Sequence, residues 1–180
     1  MVRDNFPIPW QGNKPLNGSG TISILPGGSG INAQSVARNS VNGAGDATFQ
    51  ALRTITIPGG TLGANDALRV TAAWSHTNSA NVKTLRIRFN GTTFHGQQVT
   101  ANASSRTQAT IANRNATNSQ LGFGGSGSTS GQWASGGNAV VTSAFDTTTD
   151  LDIQIGCDWA GATPAETVTL QGYIIEVLRN

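Results

Sequence analysis

The stretch at residues 84–95, TLRIRFNGTTFH, decides the fold class of this chain. Apolar and polar residues alternate through its first half, the period-two pattern of a strand with one buried face. Asn90-Gly91 follows, and an Asn-Gly pair between alternating runs is the strongest short-range signal for a β-hairpin, because both residues accept a positive φ. The stretch therefore predicts antiparallel strands at 84–89 and 92–95, joined by a two-residue turn.

The same period recurs on both sides of this hairpin, between Gly, Pro and Asn residues that mark turns. Helical periodicity is missing almost everywhere. Further strands are predicted at residues 48–57, 68–75, 97–101, 108–113, 119–123, 139–145, 150–155 and 167–178. Eight to ten strands joined by short turns predict an all-β protein, a two-sheet antiparallel β-sandwich of the jelly-roll type.

Residues 1–47 differ from the rest of the chain. They hold four prolines, repeated glycines and one short strand candidate at 21–25, so they cannot bury much surface alone. We predict an extended N-terminal arm at 1–47, which lies along the domain or reaches a neighbouring subunit, and a β-sandwich domain at 48–180. Phe6, Ile8 and Trp10 are the expected partner-binding anchors of the arm.

The last predicted strand begins with alternation and ends apolar on both faces. A strand buried on both sides needs a partner layer beyond its own sheet. We therefore predict that Tyr173, Ile175 and Val177 lie at a subunit interface of a homo-oligomer, with a trimer favoured.

Charged residues make up only 11% of the chain, and 11 basic against 9 acidic residues leave a net charge of +2. A low-charge surface suits burial against other subunits, because unpaired charges are costly to desolvate; it is equally typical of an ordinary Thr/Asn-rich β domain. The arginines are dispersed, which argues against nucleic-acid binding. No apolar run approaches a membrane span, and the first residues lack the apolar core of a signal peptide.

The residues that carry most enzyme chemistry are scarce. A hydrolase triad needs a histidine beside a nucleophile and an acid, and neither of the two histidines has such a sequence context. Asp146, Asp150 and Asp152 could form a weak calcium site, although solvent-facing acids are the favoured interpretation. Glu166 and Glu176 are the only glutamates. The sequence predicts no catalytic residue, no metal site and no cofactor.

Two loops and one cysteine complete the candidates. Trp133 lies in the Gly-rich segment 124–138, where it is either a contact residue for a sugar or a neighbouring subunit, or a lid over the sandwich edge. His76 and Asn78 belong to a polar loop at 76–81 and are candidate ligand contacts. Cys157 is the only cysteine, so an intrachain disulfide is excluded, and its place after an alternating run predicts a buried side chain.

Several motifs resemble a recurrent module of tailed-bacteriophage genomes. They are the Pro-Gly-Gly-Thr-Leu-Gly turn, the strand ending in Ala-Trp-Ser, the Thr-Asn-Ser-Ala-Asn loop and the Lys-Thr-Leu-Arg-Ile-Arg strand, all within residues 55–94. Residues 111–124 and 168–178 also resemble it, so the likeness covers roughly 48–178. It implies a virion structural protein with a jelly roll. The closing strand is similar, at fold level only, to tumour-necrosis-factor-like jelly rolls that trimerise along such strands.

The resemblance transfers no functional residue, so the role stays open between two classes. The leading hypothesis is a capsid decoration or cement protein, made in the bacterial cytoplasm, that binds the major capsid protein on the outer head surface through its arm and oligomer contacts. The alternative is a tail-fibre or receptor-binding tip that recognises a host surface glycan through Trp133 and the 76–81 loop. A glycan hydrolase is a distant third.

Overall fold

The computed structural model describes residues 29–32, 36–39, 48–124, 140–159 and 166–180. These residues form eleven β-strands and no helix. The strands are β1 (Ser29–Asn32), β2 (Val36–Asn39), β3 (Gln50–Ile57), β4 (Ala67–His76), β5 (Lys83–Phe89), β6 (Thr92–Val99), β7 (Ser104–Asn113), β8 (Gln120–Gly124), β9 (Thr142–Ser143), β10 (Leu151–Trp159) and β11 (Thr167–Leu178). Among these residues there is no helix that could span a membrane.

The strands form two antiparallel sheets packed as a sandwich. The larger sheet has the order β1-β11-β4-β7-β8-β9, with β2 also paired to β11, and the smaller has the order β3-β10-β5-β6. The chain crosses between the sheets from β3 to β4, from β4 to β5, from β6 to β7, from β9 to β10 and from β10 to β11. This is jelly-roll connectivity. The predicted fold class is confirmed.

The Asn-Gly hairpin forms as predicted. Asn90 and Gly91 both have positive φ, 44° and 85°, as a tight turn between twisted strands requires. The second strand of the hairpin is longer than predicted, since β6 continues through Gly96 to Val99. A β-bulge opposite the step from Ile87 to Arg88 shifts the register of the pair. The two predicted strands at 92–95 and 97–101 are therefore one strand with a bulge.

The apolar end of β11 has an explanation inside the chain. The pairing of β11 with β4 shifts between Leu170 and Gly172, and this bulge changes which residues point inward. Tyr173, Ile175 and Val177, which we predicted at a subunit interface, are instead buried in the core of this chain, each less than one-tenth exposed. The partner layer that the strand needs is the other sheet of the same sandwich.

The core lies between the two sheets and is built from the inward residues of both. Phe89 packs edge-on against Phe94 and Phe145, with ring centroids 6.0 and 5.9 Å apart. Cys157 is fully buried among these core residues, as predicted. Of the predicted strand at 139–145, the described residues 140–145 form a strand only at Thr142–Ser143.

Two short pieces of the predicted arm belong to the larger sheet. β1 pairs with residues 173–176 of β11, and β2 pairs with residues 167–170. The arm therefore supplies the edge of a sheet at these two places. Phe6, Ile8, Trp10 and the strand candidate at 21–25 lie outside the described residues.

Replacing Gly156 by alanine is expected to destabilise the fold by about 1–3 kcal/mol, because the new methyl group overpacks a filled space. A Cβ at this position would lie 2.1 Å from the carbonyl oxygen of Gln50 and 2.8 Å from the ring of Phe49. Denaturant unfolding measures the effect, and exposed Thr54→Ala on β3 is the control. An unchanged unfolding midpoint for Gly156→Ala would show that β3 yields without cost.

Candidate functional site

The connection between β4 and β5 lies at the same end of the sandwich as the connection between β6 and β7 and the start of β11. We call this region, residues 76–83, 100–105 and 166–167, the loop end. Its two connections, 77–82 and 100–103, read TNSANV and TANA and carry no charged residue. The ionisable groups of the loop end are His76, Lys83 and Glu166, and all three are buried. The site is thus polar at its surface and ionic only beneath it.

Lys83 anchors the loop from below. It is the first residue of β5 and has the inward parity of Leu85, so its side chain enters the end of the core, where it is 0% exposed. Its Nζ donates to Ser79 Oγ at 3.0 Å, to the Asn81 carbonyl at 2.9 Å and to Glu166 Oε2 at 2.8 Å. These contacts use all three ammonium protons, so the buried cation is fully satisfied.

Glu166, the residue immediately before β11, completes the ion pair. Its side chain is 6% exposed, and its other oxygen accepts a 3.0 Å hydrogen bond from Asn81 Nδ2. Burial by itself raises the pKa of this carboxyl, but hydrogen bonds from Lys83, Ser79 and Asn81 outweigh it and hold the pKa below its usual value. The group is therefore an ionised acceptor at neutral pH.

Two further hydrogen bonds fasten the loop to β11. The backbone N–H of Thr77 donates to the Thr167 carbonyl at 3.0 Å, and the Thr167 N–H donates to Thr77 Oγ1 at 2.8 Å. Together with the Lys83–Glu166 pair, they fix the 77–82 connection at both of its ends and in its middle. The connection is therefore well anchored to the strands beneath it.

His76 supports the loop end from inside. It continues the inward series of β4, is only 7% exposed, and its Nε2 lies 2.8 Å from Ser105 Oγ. Burial, followed by the nearby charge of Lys83, lowers its pKa, so the imidazole is neutral at pH 7. Its Nδ1 has no hydrogen-bond partner in the described part of the chain, and thus no carboxylate there orients a Ser–His pair as a triad requires.

The exposed groups of the loop end are neutral. Asn78, predicted as a contact residue, is exposed, whereas His76, predicted with it, is buried. The other exposed residues here are Ala80, Asn81, Thr100, Ala101, Asn102, Ala103 and Ser104. Trp133, the third predicted contact, lies outside the described residues. The surface that remains offers amide and hydroxyl groups, which both donate and accept hydrogen bonds.

The two glutamates are not arranged for glycoside cleavage. Glu176 pairs with Arg69 directly across the β11–β4 ladder at 2.7 Å, so its partner is in the same chain. Its pKa is lowered, first by this hydrogen bond; a general acid needs a raised pKa. Glu166 lies just before β11 and Glu176 near its end, ten residues later, a separation of roughly 30 Å along an extended chain. Paired catalytic carboxylates lie within about 10 Å.

The three aspartates suggested as a calcium site have separate protein donors. Asp146 accepts from the backbone and hydroxyl of Thr148, Asp150 from the Gly59 N–H at 2.8 Å, and Asp152 from the Thr56 hydroxyl at 2.9 Å. Within the described ranges, no three His, Cys, Asp or Glu side chains come together as metal ligands.

The Lys83–Glu166 pair is the feature that sequence reasoning missed. The sequence carries a signal for half of it, because Lys83 shares the parity of Leu85, Ile87 and Phe89, the apolar residues of the alternating run, which are buried. A lysine at an inward position needs a buried acceptor. The acceptor lies 83 residues later along the chain, and strand periodicity alone does not pair such distant positions.

No family model matches this chain, and no curated protein matches it. Among solved structures it is similar to the C-terminal domain of EclA, a sugar-binding protein, with 9% identity and a TM-score of 0.43 over 98% of this chain and 99% of that one. It is also similar to the CBM2 module of the evolved Dit of Lactobacillus casei BL23 phage J-1, with 9% identity and a TM-score of 0.33 over 71% of this chain and 69% of that one. A third similar structure is a Lotus tetragonolobus seed lectin, with 10% identity and a TM-score of 0.31 over 85% of this chain and 93% of that one. Likenesses of this size carry no functional argument.

Proposed function

We propose that this chain is a non-catalytic binding module of a tailed-phage virion, and that its loop end recognises a glycan on the host surface. The observation that carries the proposal is the buried Lys83–Glu166 pair, which holds the 77–82 connection in one conformation while Asn78 stays exposed. The virion assignment is supported by the sequence motifs at 55–94, and the glycan by the chemistry of the loop end.

The chemistry of the exposed groups suits a polyhydroxylated ligand. A sugar hydroxyl donates one hydrogen bond and accepts others, and amide and hydroxyl side chains provide both partners. A loop that is already ordered loses little conformational entropy on binding, so a few polar contacts suffice for measurable affinity. Asn78 and Asn102 are exposed on two different connections of the loop end, which gives a ligand more than one point of contact.

A capsid decoration role has less support from the described residues. Its oligomer argument rested on Tyr173, Ile175 and Val177, which the chain buries in its own core. Its other support is the arm with Phe6, Ile8 and Trp10, outside the described residues. Self-association and binding to the major capsid protein therefore stand as proposals that rest on the sequence alone.

Replacing Asn78 by alanine is expected to weaken binding of the purified protein to host cells about tenfold, because a lost polar contact leaves a ligand hydroxyl unsatisfied. Binding is measured by titrating labelled protein against cells. Asn118→Ala, an exposed asparagine in the β7–β8 connection at the opposite end of the sandwich, is the matched control and should bind normally.

The decoration hypothesis makes opposite forecasts for the same variants. It expects Asn78→Ala to be silent, deletion of residues 1–20 to abolish attachment to empty heads, and a copy number near that of the major capsid protein. Equal cell binding by Asn78→Ala and wild type, together with arm-dependent attachment to heads, would refute the glycan proposal.

A further inference from the structure

We infer that the ligand of the loop end is an uncharged glycan, one without phosphate, sulfate, uronate or sialate groups. This inference rests on the proposed function and narrows it. It follows from how charge is divided between the two ends of the sandwich and from what the buried ion pair leaves at the surface.

The two ends of the sandwich differ in charge. The connections at 77–82 and 100–103 hold no ionisable side chain. The opposite end, formed by the connections 58–66, 114–119 and 144–150 and the C-terminal residues, carries Asp66, Arg114, Asp146, Asp150 and Arg179. The lack of charge in the connections of the loop end is thus a local feature, and the low charge of the whole chain does not account for it.

The buried charges do not reach a ligand. Lys83 gives all three of its protons to Ser79, Asn81 and Glu166, so no donor is left to point outward. Both carboxylate oxygens of Glu166 accept hydrogen bonds from within the loop end, one from Lys83 and the other from Asn81, and Ser79 donates to this carboxylate as well. The pair supports the 77–82 connection from below, and because its two charges are opposite it is neutral as a whole.

Among the side chains that the structure describes, an acidic sugar meets no exposed cation in the connections 77–82 and 100–103. An anionic group that leaves water needs a cation or several N–H donors to offset its desolvation. The exposed cation nearest in sequence to these connections is Arg106, whose ladder partner is the outward Ala73 of β4; its side chain therefore belongs to the outer face of the larger sheet. A neutral hydroxyl exchanges its water for an amide at little cost. The site therefore favours uncharged sugars.

The test uses two matched panels of immobilised oligosaccharides. One contains neutral hexose, deoxyhexose and N-acetylhexosamine units, and the other contains the same sizes bearing uronate, sialate, sulfate or phosphate groups. Binding of the full chain is measured alongside adsorption to host cells at low and high NaCl, since screening weakens exposed charge contacts. We expect binding within the neutral panel only, and less than about a twofold change in cell binding between roughly 50 and 500 mM NaCl.

Arg106→Ala separates the remaining explanations. The inference expects this variant to bind as wild type does, because Arg106 lies on the sheet face and has no anion to hold. Binding confined to the acidic panel, or cell binding that falls severalfold with salt or with Arg106→Ala, overturns the neutral ligand but keeps the glycan site. Absence of binding to both panels and to cells overturns the proposed function itself, so the two failures are distinguishable.

Discussion

Replacing Lys83 by alanine is expected to lower the free energy of unfolding by about 3–5 kcal/mol, the largest loss we expect from any single surface-loop or strand-end substitution. The ammonium is fully buried and its carboxylate partner nearly so. Removing the cation leaves the Glu166 charge in the end of the core with one fewer donor. An unpaired buried charge costs far more than the pair contributes when intact.

The loss should depend on burial and not on the mere presence of an ion pair. Arg69 and Glu176 form the matched control, since their side chains are 37% and 29% exposed and water solvates whichever partner remains. Arg69→Ala should therefore have a much smaller effect in the same denaturant titration. Equal losses for the two substitutions would show that the buried pair has access to water.

The double variant Lys83→Met with Glu166→Leu separates charge from packing. Apolar residues of similar volume often match or exceed the stability of a buried ion pair, so this variant should recover most of the stability that Lys83→Ala loses. It should still bind host cells less well than wild type, because Ser79 and Asn81 lose the cation that holds the 77–82 connection. Wild-type binding by a well-folded double variant would contradict the positioning role of the pair.

Acidification from pH 6.5 to about pH 4 is expected to remove roughly 3 kcal/mol of stability through His95 alone. This residue on β6 is 1% exposed, and neither ring nitrogen has a hydrogen-bond partner among the residues that the structure describes. Burial disfavours the imidazolium and lowers the pKa of His95 to about 4. The unfolded chain, whose histidines titrate near pH 6.5, therefore binds a proton at pH values where the folded chain does not.

The sign of this effect is fixed by the lowered pKa. Because the unfolded state takes up the proton first, stability falls as the pH drops through 6.5 and the loss is complete near pH 4. His76 acts in the same direction, since burial also lowers its pKa. Asp66, Glu166 and Glu176 have lowered pKa values and add their own losses only below their unfolded values near pH 4.

His95→Leu isolates the His95 contribution. This variant should be at least as stable as wild type at pH 7, because it buries no unsatisfied polar atom, and most of the slope between pH 6.5 and 4 should disappear. Urea titrations at half-unit pH intervals measure both quantities. Identical pH profiles for the variant and wild type would mean that His95 is hydrated or paired in solution.

The sequence was enough to predict the fold class and most strands, because period-two alternation and an Asn-Gly turn are local signals. The bulges were not predictable in this way. One after Leu170 reverses the inward parity of β11, and it made Tyr173 and Ile175 look like surplus apolar surface when they belong to the core. That single irregularity produced the predicted subunit interface. The pairing of β1 and β2 with β11 was missed because a Gly/Pro-rich segment carries little strand signal.

The site was predictable in outline only. The polar loop at 76–81 and its exposed Asn78 were identified from composition, and the burial of His76 was not. The ion pair depends on two residues that only tertiary structure brings together, Lys83 and Glu166. Long-range pairs of this kind leave no periodic trace in a single sequence, although an inward lysine indicates that an acceptor must exist somewhere.

Chemical-shift mapping of the isotope-labelled full chain with oligosaccharides released from the host envelope tests the central claim most directly. We expect the perturbed amides to cluster at residues 76–83, 100–105 and 166–167, with the connections 58–66 and 114–119 unchanged. Perturbations confined to the opposite end of the sandwich, or none at saturating oligosaccharide while the protein still attaches to phage heads, would contradict it.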